Sequence, residues 1–157
     1  MIDVFFDQFD IKSSVINEAP LPTSIRILIL DNNFLGKGGA DVIGTILSSS
    51  RQLKILSMNR TRLIGNDLKK LCQSLSVNPY LKVLNLGQNK LSDTGVQYVA
   101  NALKVNIGLT HLDLFDVEFG DDGALQLAEA LLLNKTLINL RLANTKVKPS
   151  GSTPLLK

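Results

Sequence analysis

The stretch "LKVLNLGQNKL" at residues 81–91 decides the fold. Leu81, Leu84, Leu86, Asn89 and Leu91 stand in it at fixed spacing. One such frame fits any buried strand, whereas recurrence at a constant interval marks a stacked repeat. Stepping back by 28 residues gives "LKILSMNRTRL" at 53–63, and again "IRILILDNNFL" at 25–35. Stepping forward gives "LTHLDLFDVEF" at 109–119 and "LINLRLANTKV" at 137–147. The first apolar column reads Ile25, Leu53, Leu81, Leu109, Leu137. The second reads Leu28, Leu56, Leu84, Leu112, Leu140, and the third Leu30, Met58, Leu86, Leu114, Leu142.

The other half of each unit repeats as well. "SDTGVQYVANALKVN" (92–106) matches "GDDGALQLAEALLLN" (120–134), and "IGNDLKKLCQSLSVN" (64–78) and "GKGGADVIGTILSSS" (36–50) share the phase. Val96, Val99, Ala100 and Leu103 fall at i, i+3, i+4, i+7, the stripe of an amphipathic helix. Asp93, Asp121 and Asp122 suit a helix N-terminus. Each unit is therefore expected to be a short strand, a turn and a helix of about three turns, with parallel strands near 26–31, 54–59, 82–87, 110–115 and 138–143.

This pattern resembles the leucine-rich repeat family, and within it the ribonuclease-inhibitor-like subfamily with units of this length. The resemblance implies an α/β fold: a right-handed solenoid bent into a horseshoe arc. Parallel strands line its concave face and helices its convex face. The bend has a simple cause. Strands stack about 4.7–4.9 Å apart, while helix axes need about 8–10 Å, so the helix side must be the longer arc. Five units over 25–147 are expected, the last a strand only. Residues 1–24 form an N-terminal partial repeat or cap, and 148–157 a tail. A helix at 8–19 and a cover from Phe5, Phe6 and Phe9 are expected before the first full strand. Pro154 stands where a fifth helix would have its middle, so Leu155 and Leu156 are expected to fold back as a cap, leaving a monomer.

The family places asparagine in the turn after each strand, where its amide bridges neighbouring turns. Here that position reads Asn33, Thr61, Asn89, Val117, Thr145. Val117 has no polar side-chain atom, so the ladder is expected to break there.

Composition excludes several function classes. The 157 residues carry 17 Lys and Arg against 14 Asp and Glu, an excess too small and dispersed for nucleic-acid binding. No run of apolar residues is long enough to span a membrane. "MIDVFFDQFDIK" has no positive start, so no signal peptide is expected, and "NRT" (59–61) and "NKT" (134–136) then read as chance glycosylation triplets. Cys72, the single cysteine, allows no internal disulfide and occupies the slot of Ala100 and Ala128, a buried thiol. With one His and one Cys, no metal site or other cofactor is expected. "GKGGAD" (36–41) lacks the order of a phosphate loop. His111 and Asp113 share a strand face without a nucleophile beside them, so no enzyme is expected.

The concave columns remain. They read Ile27, Ile55, Val83, His111, Asn139; then Ile29, Ser57, Asn85, Asp113, Arg141; then Asp31, Asn59, Gly87, Phe115, Ala143. Stacking demands uniformity of the frame but not of these positions, which leaves them free for recognition. His111, Asp113, Phe115, Asp116 and Arg141 make an aromatic anchor with a polar rim. Asn85, Arg60 and Arg62 extend the expected partner-binding set. What the resemblance implies is a non-enzymatic protein-binding module, working in a cytosol and similar to the repeats of intracellular bacterial effectors and eukaryotic interaction proteins. The alternative is an enzyme regulator, because Ran GTPase activators use the same subfamily; those carry a long acidic C-terminal run, where this sequence reads "SGSTPLLK".

Overall fold

The computed structural model describes residues 2–5 and 25–147. Six strands form one parallel sheet in sequence order: β1 (Ile2–Phe5), β2 (Ile25–Ile29), β3 (Ile55–Ser57), β4 (Val83–Asn85), β5 (His111–Asp113) and β6 (Asn139–Arg141). Helices α1 (Gly36–Ser49), α2 (Leu68–Val77), α3 (Ser92–Leu103) and α4 (Asp121–Leu133) connect β2 through β6, with a 3₁₀ turn at Gly65–Asp67 ahead of α2. The result is a leucine-rich repeat solenoid. Its register follows the sequence period: Ile27, Ile55, Val83, His111 and Asn139 pair in turn across the sheet.

The strands are shorter than the sequence frame suggests. The reason lies in the backbone after the third strand residue. Asn32, Arg60, Gln88, Asp116 and Asn144, one per unit, all take the left-handed conformation, with φ between 53° and 62°. That turn ends each strand and sends the chain toward the helix. Ladder bonds continue across it, as in Gln88 N–H to Phe115 O at 2.8 Å. None of the five is glycine, so the device is invisible to a search for glycine turns.

Strand β1 is an addition to the five expected strands. Asp3 pairs with Ile27, a separation of 24 residues in place of 28, with an irregularity between Ile2 and Asp3. It gives β2 a neighbour and covers an otherwise open sheet edge. Phe5 ends β1, opposite Ile29, whereas the expected helix at 8–19, Phe6 and Phe9 of the expected cover, and the tail with Pro154, Leu155 and Leu156 lie outside what the structure describes.

The frame leucines fill the space between sheet and helices. Leu28, Leu56, Leu84 and Leu112 are buried, as are Leu47, Leu75 and Leu103 facing them from the helices. In the last unit Leu137, Leu140 and Leu142 are only half-buried, and so is Leu131 of α4. Among the described residues nothing stacks beyond β6.

Two polar ladders tie the units together. Asn89 donates from Nδ2 to Met58 O and Leu86 O at 2.8 and 2.9 Å. Its Oδ1 accepts from Thr61 N and Leu63 N at 3.0 and 3.1 Å. Thr61 joins by donating its hydroxyl to Met58 O. Val117 is buried without a polar side-chain atom, and its turn closes through its own N–H to Leu114 O at 3.3 Å. The second ladder runs where helices end. Asn106 donates to Leu75 O and Asn78 O and accepts from Gly108 N and Leu109 N. Asn78 and Asn134 repeat this pattern one unit to either side.

The acidic residues near the helix starts lie where expected, with Asp121 and Asp122 in the first turn of α4. Asp93 lies in the first turn of α3 but accepts from Gly120 N and Gly123 N, both at 2.8 Å, at the start of α4. It caps the helix of the next unit, which is a tie between repeats. Among the described residues no helix is long and apolar enough to cross a membrane.

Candidate concave interface

The strand residues that face away from the helices form the concave surface, and their chemistry changes along the sheet. Ile27, Ile29, Ile55 and Val83 are half-buried and apolar. From Asp31 onward the face carries a hydrogen-bonded network. Asp31 Oδ1 accepts from the Ser57 hydroxyl at 2.7 Å and Asn59 N at 2.8 Å, while Oδ2 accepts from Asn59 Nδ2. Asn85 Nδ2 donates to the Ser57 hydroxyl oxygen, and Gly87 N to Asn59 Oδ1. Each bond joins neighbouring strands or turns, so the network fixes these side chains on a rigid sheet.

The two C-terminal strands place the aromatic anchor. Arg141 lies over the Phe115 ring, its guanidinium carbon 4.1 Å from the ring centroid. Its Nη1 pairs with Asp113 Oδ2 at 3.1 Å, and Asp113 Oδ1 accepts from Phe115 N at 2.7 Å. Phe115, Asp113 and Arg141 thus hold one another. One guanidinium thus serves both the carboxylate and the ring, a combination that suits arginine better than lysine. With Asp31, Asn32, Asn59, Arg60, Gly87 and Gln88 they line a groove of about 310 Å³.

The other expected site residues distribute as follows. Arg60 lines the groove. Asn85 lies beside it, held in the Ser57 network. Asp116 sits at the rim with Gln88 Nε2 at 3.4 Å. His111 is exposed on β5, its Nδ1 2.9 Å from the Thr110 hydroxyl. That hydroxyl also donates to Lys82 O at 3.0 Å. Arg62 is set apart, stacked 5.5 Å from the Phe34 ring centroid on the turn before the helices. Sequence reasoning missed Gln88 and Asn32 as groove residues. Both belong to the left-handed column, whose signal is a polar residue recurring immediately before the asparagine-ladder position.

Cys72 is buried, and loss of water around the thiolate pushes its pKa from 9.0 to about 12. A thiol held protonated in this way is no nucleophile at neutral pH. In the "NKT" triplet the Asn134 amide is committed to Leu103 O and Asn106 O. Lys146 bonds the exposed Glu118 at 2.7 Å, which lowers the Glu118 pKa chiefly through that hydrogen bond and charge.

Residues 77–100 and 105–128 match the family model described as Leucine Rich repeat. No curated protein matches the sequence. Among solved structures, leiomodin-1 actin-binding site 2 superposes with a TM-score of 0.72 at 21% identity, covering 90% of this chain and 79% of that one. The tropomodulin C-terminal domain of Caenorhabditis elegans gives 0.72 at 15% identity, covering 91% and 87%. Repeat matches, solenoid geometry and structural likeness agree on a leucine-rich repeat fold.

Proposed function

We propose that this chain is a non-enzymatic protein-binding module that holds its partner on the concave face, centred on Phe115, Asp113 and Arg141. The observation that carries this reading is the stacked and ion-paired triad. Three side chains are pre-ordered on rigid strands, so little side-chain entropy is lost on binding. An aromatic and an arginine side by side are the residue types most often found as binding hot spots. His111, Asp116, Asn85 and Arg60 supply the polar rim, and Arg62 a more distant contact. In its finer form the reading places the module, as a ribonuclease-inhibitor-like repeat of the effector kind, in a cytosol as a monomer. Resemblance of the units and the single buried thiol support that setting.

Actin is the first partner to test, because one similar solved structure is an actin-binding site. The experiment is co-sedimentation with filamentous actin and affinity capture from cytosolic extract, each with wild type and with Phe115→Ala/Arg141→Ala. A partner retained by wild type and lost by the double variant supports the site. Equal retention by both refutes it.

A further inference from the structure

We propose a second interaction surface: the edge of the solenoid where helices end and strands begin, fitted to an acidic amphipathic helix of a partner protein. Of the nine large apolar side chains exposed among the described residues, six lie on this edge: Val77, Val105, Ile107, Leu132, Leu133 and Ile138. They are 61–80% exposed. Val77, Val105 and Leu133 occupy one position of successive units, immediately before the asparagines of the second ladder. That ladder fixes each loop to its neighbour, so the three form a regular row, one residue per unit.

Charge on this edge has one sign. The segments 48–54, 76–82, 104–110 and 132–138 hold Arg51, Lys54, Lys82, Lys104 and Lys135 and no carboxylate. Lys104 reaches Glu129 of α4 at 3.3 Å. The other lysines with described contacts fold along the edge: Lys82 Nζ to Pro79 O and Gly108 O, Lys135 Nζ to Leu132 O, and Lys54 over the Tyr80 ring. An apolar row flanked by cations complements an apolar stripe flanked by carboxylates.

Spacing selects the shape of the occupant. Packed helices advance about 8–10 Å per unit, and an α-helix rises about 10.5 Å in seven residues. A partner helix with an apolar residue at every seventh position has the regular repeat nearest to that advance. A bilayer is a poorer match. Interfacial anchors are rich in Trp and Tyr, but the chain has no Trp, and Tyr80 lies half-buried under Lys54.

The test uses the full chain and a labelled synthetic helix of about 21 residues, three heptads, with leucine at every seventh position and flanking glutamates. A lysine-flanked version and phosphatidylserine–phosphatidylcholine vesicles are the other probes. The acidic helix should bind, more weakly as salt rises, and about tenfold or more weaker to Val77→Ser/Val105→Ser/Leu133→Ser. Phe115→Ala/Arg141→Ala should leave it unchanged, which separates this surface from the concave site. Absent binding, equal binding of the lysine version, or an unaffected triple variant overturns the proposal. Vesicle capture without peptide binding also overturns it and assigns the edge to a membrane.

Discussion

Gly87 makes room for Phe115. A Cβ on Gly87 would stand 3.0 Å from the Phe115 carbonyl oxygen, 3.7 Å from its Cβ and 3.0 Å from Asn59 Oδ1. The first of these is backbone on the neighbouring strand, so relief requires the strands to part or Phe115 to shift. Gly87→Ala should therefore cost about 1–3 kcal/mol as overpacking. It should also move the Phe115 ring away from Arg141. Chemical denaturation measures the first effect, and the chemical shifts of the Phe115 ring protons the second. Wild-type stability together with an unmoved ring would contradict this account of the groove.

Core truncation should depend on position along the stack. Leu84 is fully buried between layers that continue on both sides. Leu84→Ala should cost about 2–5 kcal/mol, since neighbours cannot collapse into the void from either side. Leu140 is half-buried in the last described layer, and its truncation should cost less than half as much. Equal losses for the two in urea titration would mean that another element covers the last layer as fully as a repeat does.

The asparagine ladder should show an asymmetry. Asn89→Val removes donors to Met58 O and Leu86 O and the acceptor for Thr61 N and Leu63 N. Met58 O keeps the Thr61 hydroxyl, but Leu86 O, Thr61 N and Leu63 N in the buried turn lose the Asn89 amide, a loss of about 2–4 kcal/mol. Val117→Asn places the ladder residue where the sequence lacks it. It gives up apolar burial and gains bonds to the preceding turn, so stability should stay within about 1 kcal/mol of wild type. Thermal denaturation of both variants decides the point. A Val117→Asn loss as large as that of Asn89→Val would show that this turn has repacked around the apolar side chain.

What could be read from the sequence follows from what stacking enforces. Every unit needs a leucine where Leu84 stands, so the core and the strand order were legible from the period alone. Strand β1 was not, because its offset from β2 departs from the period and Ile2–Phe5 carries no frame. The left-handed column escaped notice because Arg60 and Gln88 are not residues associated with positive φ. Asp93 was legible as a capping residue but not as the cap of a neighbouring helix, since periodicity says nothing of contacts between units. On the concave face, alternation along the strands brought Asp113, Phe115 and Arg141 together correctly as neighbours. The stack of Arg141 on Phe115 and the drift of Arg62 to Phe34 depend on side-chain rotamers, which no spacing encodes.

Cys72 provides a pH-dependent test of the core. Its thiol is buried and its pKa rises from 9.0 to about 12 because the thiolate would lose its water. Between those values the unfolded chain releases a proton that the folded chain keeps, so the unfolded state is favoured as pH rises. The thiol's contribution is fully present below about pH 9 and is lost progressively as pH climbs toward 12. Cys72→Ala, which restores the residue found in the same slot at Ala100 and Ala128, should flatten that part of the stability profile relative to wild type. All other groups are common to both proteins, so the difference between the two curves isolates the thiol. In the native state at pH 8, iodoacetamide should leave Cys72 unmodified over hours, and urea should expose it. Rapid native alkylation, or identical alkaline profiles for the two proteins, would show that α2 opens often enough for Cys72 to meet water.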